Sequence, residues 1–305
     1  MSYAKIADKL RRGDVIILDG GTGTDMQQRG AVMSGDTWCA DANLTHPDIV
    51  REVHRDYVKA GADIITANTF ATSPLVFSSI GRVDDVPRID AIAVGLAREA
   101  VVGTEVCVAG SMSTMRPVVA GGDRNNLGYE LNEREARALF RVKANTLKAS
   151  GCDLILMELM RDTDYAVWAS EAALETGLPV WIGISTERGK DGQLHGWGRE
   201  DCLLDEISRT LAALRPAVMM VMHTSPNNTD EALVILRKYW SGPLATYPEC
   251  GYFKSPDWEF VDVIPPADLV RKSQDWHKLG ATIFGGCCGI GPEHIAALSR
   301  SFGRC

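Results

Sequence analysis

Short apolar runs alternate with amphipathic segments eight times in succession along this chain, and that period constrains the fold more than any other feature. The runs predict strands over Val15–Gly21, Asp63–Phe70, Glu105–Ser113, Asp153–Leu159, Pro179–Thr186, Ala217–Ser225, Pro243–Glu249 and Ala281–Gly286. They carry almost no interior charge, as parallel strands covered on both faces do, whereas half-exposed antiparallel strands alternate. The segments between them read as helices. Pro47–Gly61, for example, spaces its apolar residues three and four apart and closes on a glycine. Gly61, Gly151, Gly177 and Gly280 each stand just before a strand, where a left-handed residue ends a helix. Eight such units without a Pro/Gly/Ser linker predict an α/β chain folded as a single (β/α)8 TIM barrel, with an open α/β sheet as runner-up.

The 305 residues, 45% of them apolar, suffice for a large core and are expected to form one domain over residues 1–305. A formal charge of −8 argues against a nucleic-acid partner, because phosphate-backbone binders concentrate lysine and arginine. No run approaches the ~20 apolar residues of a membrane span, and the first residues lack a signal peptide's apolar stretch. A cytoplasmic location is therefore expected. Eight cysteines without an export signal read as core residues, ligands or reactive thiols rather than as a disulfide framework. Gly121–Asn132 reads as a polar loop after strand three.

In a barrel the chemistry is built where strands end. Those positions hold Asp19 with Gly20 and Gly21, Thr66 and Asn68, Ser111, Glu158, Ser185, His223, Tyr247 with Glu249, and Cys287 with Cys288. The most specific signal is Gly285-Gly-Cys-Cys-Gly289. The glycines let consecutive thiols face one centre, and the helix start at Pro292-Glu293 is expected to lower their pKa values. Two buried cysteines or a vicinal disulfide are the plainer alternative. Zinc needs further ligands than two thiolates. His223, ending the run Val218–Met222 two strands from the cysteines, is the expected third, giving a Cys2His site with an open position; Cys250 is the competing thiol. Asp19 and Glu158 point at the same mouth. They are expected either to pair with Arg161 or Arg116, or to hold the ammonium of an amino-acid substrate whose carboxylate meets the Gly20–Gly21 backbone. Cys39, Cys107, Cys152 and Cys202 are given no function, and Cys305 is expected to be exposed.

Taken in order, Asp19-Gly-Gly-Thr-Gly-Thr24, Ala60-Gly-Ala-Asp-Ile-Ile-Thr-Ala-Asn-Thr-Phe70, Glu158, Tyr247-Pro248, Gly285-Gly-Cys-Cys-Gly289 and Pro292-Glu-His-Ile295 resemble the homocysteine S-methyltransferase family over essentially the whole chain. The resemblance implies a zinc ion held by three cysteines, with the homocysteine thiol in the fourth position. Carried over, Cys287, Cys288 and, in place of a cysteine, His223 would be the metal ligands. Asp19, Gly20, Gly21, Thr66, Asn68 and Glu158 would bind the amino acid. Neutral imidazole in place of thiolate leaves the centre one unit less negative, which favours thiol deprotonation but lowers sulfur nucleophilicity. The implied partners are a small thiol acceptor, homocysteine by default with methionine as product, and a small onium or N-methyl donor. Trp38, Tyr247, Tyr252 or Phe253 could cradle the donor's cation. A separate corrinoid protein could dock, and a homo-oligomer is left open. Two rivals remain: a Cys2His hydrolase or lyase that activates water, and a non-catalytic thiol- or metal-binding barrel.

Overall fold

A computed structural model describes residues 3–118 and 129–303. Residues 121–128 of the expected polar loop, and Cys305, lie outside them. The strands are β1 (Ile16–Ile17), β2 (Ile64–Ala67), β3 (Cys107–Ser113), β4 (Leu154–Met160), β5 (Val180–Arg188), β6 (Leu194–Gly196), β7 (Arg199–Leu203), β8 (Val218–Met222), β9 (Leu244–Tyr247), β10 (Tyr252–Lys254), β11 (Asp257–Glu259) and β12 (Ala281–Phe284). Eight of them pair in parallel in the order β1-β12-β9-β8-β5-β4-β3-β2. A parallel bridge from Leu18 to Ile64 closes the ring. Asp63 reinforces the seam: its N–H donates to the Ile17 carbonyl at 2.7 Å, and its carboxylate accepts the Ile17 N–H at 2.9 Å. The fold is a (β/α)8 barrel with helices outside, and each expected strand run overlaps one barrel strand, with β4 and β5 running past the expected ends at Leu159 and Thr186.

Every residue of β2, β3, β4, β8 and β9 is buried, which is why these runs read as continuously apolar: the helices cover one face and the packed interior the other. The four helix-stop glycines all have positive φ. None of the described helices is long and apolar enough to cross a membrane.

Two antiparallel additions were not foreseen. β5 runs on past Thr186 to Arg188 and folds back through β6 onto β7, while β10 and β11 form a separate hairpin after β9. Both lie outside the barrel wall, so neither needs the uninterrupted apolar run that marks a barrel strand. Both stand over the carboxyl ends of the barrel strands.

The turn after β2 is pinned from behind. Lys143, on helix Glu133–Ala149, is fully buried and donates to the carbonyls of Thr69 (2.9 Å) and Thr72 (3.2 Å), to Thr72 Oγ1 (2.7 Å) and to both oxygens of buried Asp90 (3.0 and 2.9 Å). Thr69 Oγ1 also donates to the Ser111 carbonyl of β3 at 2.8 Å. This turn carries Phe70.

Candidate metal centre and adjoining cavities

β12 ends at Phe284, and the chain then crosses the barrel mouth as Gly285–Gly289, held by backbone bonds on both sides. Gly286 N–H donates to Asp19 O (3.1 Å), Cys287 N–H to Pro248 O (2.7 Å), and Cys250 N–H to Cys288 O (2.9 Å). Gly289 is left-handed, and a β-carbon there would lie 2.3 Å from the Cys250 carbonyl. Gly21 is required for the same reason: its β-carbon would meet Cys287 O at 2.6 Å and Cys288 Cα at 3.0 Å. The two sulfurs lie 3.9 Å apart.

His223 follows the last residue of β8 in a left-handed conformation, φ 43°, which costs a non-glycine residue roughly 1–2 kcal/mol. The turn brings its imidazole over the cysteines. Cys287 Sγ lies 3.5 Å from both ring nitrogens, and Nδ1 lies 2.9 Å from Glu249 Oε2. One ligand atom each from His223, Glu249, Cys287 and Cys288 falls within 4.8 Å of the others, a set able to hold a metal ion. The structure therefore brings together the three expected ligand residues and adds Glu249. Cys250 is outside this cluster. Thiolate, imidazole and carboxylate in one buried pocket are the ligand types that zinc takes, in the number that completes a tetrahedron.

Charges here are strongly coupled. Burial lowers the His223 pKa, but the Cys287 sulfur and the Glu249 carboxylate outweigh it and hold the imidazole well above its usual value. Burial and the neighbouring Cys288 raise Cys287 well above the ordinary thiol range, against the pull of His223. Cys288 is also raised: the bond with Cys287 pulls it down, but burial and the surrounding carboxylates prevail. The helix Pro292–Ser301 starts where expected, yet it does not lower these thiols. Complete desolvation outweighs a half-charge at a helix end. A cation between the sulfurs would supply the missing stabilisation of the thiolates.

A small cavity of about 40 Å³ lies on one side of the cluster, walled by Gly20–Gly23, Thr66, Asn68, Glu158 and Tyr247. Asp19, beneath it, accepts from Thr66 N–H (2.5 Å), Thr66 Oγ1 (3.0 Å) and the Tyr247 hydroxyl (3.0 Å). Burial nevertheless pushes its carboxyl up to about 7, with Glu158 adding to the rise. Glu158 is raised too, by burial opposed by the His223 charge and the Ser111 hydroxyl. Of the arginines considered for them, Arg161 donates to the Trp197 carbonyl and Arg116 stacks on Tyr165. The Asn68 amide is committed to Cys39 O and Asn43 Oδ1, and the Gly21 N–H to Ile290 O at 2.9 Å, so that N–H is not a free donor for a ligand carboxylate.

On the other side lies an open cavity of about 220 Å³ whose wall is aromatic: Trp38, Phe70, Trp197, Tyr252, Phe253 and Trp258. His223, Glu249 and Cys288 form part of its lining. Phe70 stands 5.3 Å from the imidazole ring and edge-on to Trp38 at 6.1 Å. Trp197 comes from the β6–β7 turn, and Tyr252, Phe253 and Trp258 from the β10–β11 hairpin. Of the aromatic residues expected to cradle a cation, Trp38, Tyr252 and Phe253 are here, whereas Tyr247 belongs to the smaller cavity. Five non-glycine residues among those described have positive φ, and three of them, Trp38, Leu159 and His223, line this cavity. Backbone strain concentrates at the site.

The chain is 26% identical to mouse betaine–homocysteine S-methyltransferase 1, over 97% of its own length and 74% of that protein's. It is 24% identical to rat S-methylmethionine–homocysteine S-methyltransferase, over 97% and 80%. Its fold matches the metallated form of the Escherichia coli homocysteine methyltransferase MmuM with a TM-score of 0.74 at 23% identity, covering 98% of this chain and 99% of that one. The homocysteine S-methyltransferase family model matches residues 16–302. On that match the chain belongs to the homocysteine S-methyltransferase family and is a methyltransferase.

Proposed function

We propose that this protein transfers a methyl group from a small sulfonium or betaine-type donor to the thiol of homocysteine, forming methionine, with zinc held by His223, Cys287 and Cys288. The observation that carries the reading is the position of the His223–Cys287–Cys288 cluster between a small polar cavity and a larger aromatic one. A two-substrate displacement needs the nucleophile's anchor to lie between the pockets of its two reactants.

On the acceptor side, Glu158 and Asp19 meet the ammonium of homocysteine. Glu158 has fewer partners and is the closer match to a salt-bridging role, while Asp19, held by Thr66 and Tyr247, fixes the wall. The arriving ammonium lowers both carboxyl pKa values and keeps them ionised. Bound zinc would supply the positive charge that keeps a thiol ionised at neutral pH. On the donor side the aromatic wall stabilises a cation and excludes water. Methyl transfer from an onium group yields a neutral leaving molecule, so no general acid is required. The aligned cavities do the rest by orientation.

Two measurements test this: zinc content of the purified protein, and methionine formed from L-homocysteine with S-methylmethionine, a second trialkylsulfonium or glycine betaine. One zinc per chain, lost in Cys287→Ala, together with turnover on at least one donor, is expected. Metal-dependent turnover without any thiol would instead identify a hydrolase or lyase, and stoichiometric homocysteine binding without transfer on any donor would sink the catalytic reading.

A further inference from the structure

The four-residue cluster contains one group that the reaction does not require. A tetrahedral ion held by two sulfurs, an imidazole and a carboxylate has no vacancy, and an acceptor thiol can enter only if one ligand leaves. Three of the four are poor candidates. Cys287 and Cys288 are buried and fixed by backbone bonds to Pro248 and Cys250, and His223 is buried and locked by its own left-handed turn. Glu249, whose backbone N–H is likewise held by the Thr224 carbonyl, differs from them in its side chain. It is the one oxygen donor in the set, and carboxylate is the hardest ligand for a borderline ion. Its side chain is 16% exposed against 10% for His223, and it shares with His223 and Cys288 the aromatic cavity that opens outward. It also has an alternative partner in place, the His223 Nδ1 at 2.9 Å.

We propose that Glu249 is the resting fourth ligand of the metal centre and that the acceptor thiol replaces it, after which Glu249 serves His223 alone. In the exchange one carboxylate oxygen–metal bond breaks and one sulfur–metal bond forms, the thiol proton passes to solvent, and nothing is oxidised or reduced. Carboxylate for thiolate conserves the charge on the metal. The released carboxylate stays beside the cluster, accepting from Nδ1–H and orienting Nε2 toward the ion, as carboxylates behind ligating histidines do. Glu249 thereby returns to the site the negative charge that a neutral imidazole does not provide.

This inference rests on the proposed zinc-dependent thiol chemistry, and one experiment separates the two. Zinc affinity is measured by chelator competition, and L-homocysteine affinity by calorimetry on the zinc-loaded full-length protein, for wild type, Glu249→Ala and Glu249→Gln. A displaceable ligand and a purely orienting residue predict opposite signs. Either role predicts weaker zinc binding, by roughly 10–100-fold for an orienting carboxylate; only loss of a displaceable ligand also tightens homocysteine binding several-fold, because the thiol then displaces only water. Zinc-edge X-ray absorption of wild type is expected to change from two sulfurs to three on adding homocysteine, with one nitrogen or oxygen ligand lost. Weaker or unchanged homocysteine binding in a zinc-loaded variant overturns the exchange and leaves Glu249 as a positioning residue, with the methyltransfer reading intact. A wild-type protein that takes up no zinc, or that binds zinc but not homocysteine, overturns both. Glu249→Gln keeps the side chain's shape, so it gives the same reading should Glu249→Ala fail to fold.

Discussion

Replacing Lys143 by methionine removes the ammonium that pins the turn after β2 and leaves three groups short of a donor. Asp90 and the Thr69 carbonyl are left to share the single proton of the Thr72 hydroxyl, and the Thr72 carbonyl loses its donor. Burial already pulls Lys143 down and pushes Asp90 up, so each charge is tolerated because of the other. Breaking such a pair by removing one member costs about 3–5 kcal/mol. Unfolding entropy of ~2.1 cal/mol/K per residue over 305 residues amounts to roughly 0.6 kcal/mol/K, so Lys143→Met should melt roughly 5–8 °C below wild type. Pairing it with Asp90→Leu removes the stranded carboxylate and should restore part of the loss. The orphaned Thr72 carbonyl still holds back roughly 1–3 kcal/mol, because the Thr72 hydroxyl remains to serve Thr69. Urea and thermal unfolding of the four proteins of this cycle measure it. If Lys143→Met alone costs less than about 1 kcal/mol, or the double variant is no better than the single, the turn is held by its neighbours and the reasoning fails.

Asp19 titrates at about 7 in the folded protein, so kcat/KM for homocysteine should rise as pH climbs through that value, and Asp19→Asn should remove the step. The same shift works on stability: a folded-state pKa above the unfolded value of 3.8 stabilises at low pH and is lost between about pH 4 and 7, so Asp19→Asn should gain relative to wild type across that window in urea midpoints. His54 has the opposite sign. Burial pushes it down to about 4 with neither ring nitrogen partnered, so its contribution is present above pH 6.5 and lost as pH falls toward 4, costing roughly 3 kcal/mol. His54→Leu should flatten that part of the acid limb. Gly21→Ala drives a methyl group against the Cys287 carbonyl and should weaken zinc binding in a chelator titration while circular dichroism stays native; unchanged zinc affinity would contradict the close approach.

The barrel was legible because its strands are covered on both faces, and a continuous apolar run has few other uses in a chain of this kind. The convergence of His223 with Cys287 and Cys288 was legible from strand ends alone. Glu249 was not recognised as their companion, although the signal was present. β9 lies between β8 and β12, and residues alternate sides in extended chain, so Glu249, two residues past Tyr247, is expected to share the orientation of Tyr247, whose hydroxyl reaches Asp19 inside the mouth. The thiol pKa expectation failed for a different reason: a helix start is visible in sequence, whereas complete burial of the sulfurs is a property of the assembled mouth. The same holds for the β6–β7 and β10–β11 hairpins. Their residues alternate exposure and carry charge, so they resemble ordinary polar loops until tertiary contacts set their pairing.

Those hairpins divide the site by ancestry of material. The thiol-facing half is cut from the ends of the barrel strands, where any change of backbone disturbs ring closure and metal ligation together. Much of the aromatic half, Trp197 on one hairpin and Tyr252, Phe253 and Trp258 on the other, is hung on appendages that pair only with β5 or with themselves. Lengthening, shortening or exchanging an appendage can therefore retune which methyl-bearing molecule is accepted without altering how the sulfur is held. A catalogue of different donors can accumulate on one unchanged nucleophile holder.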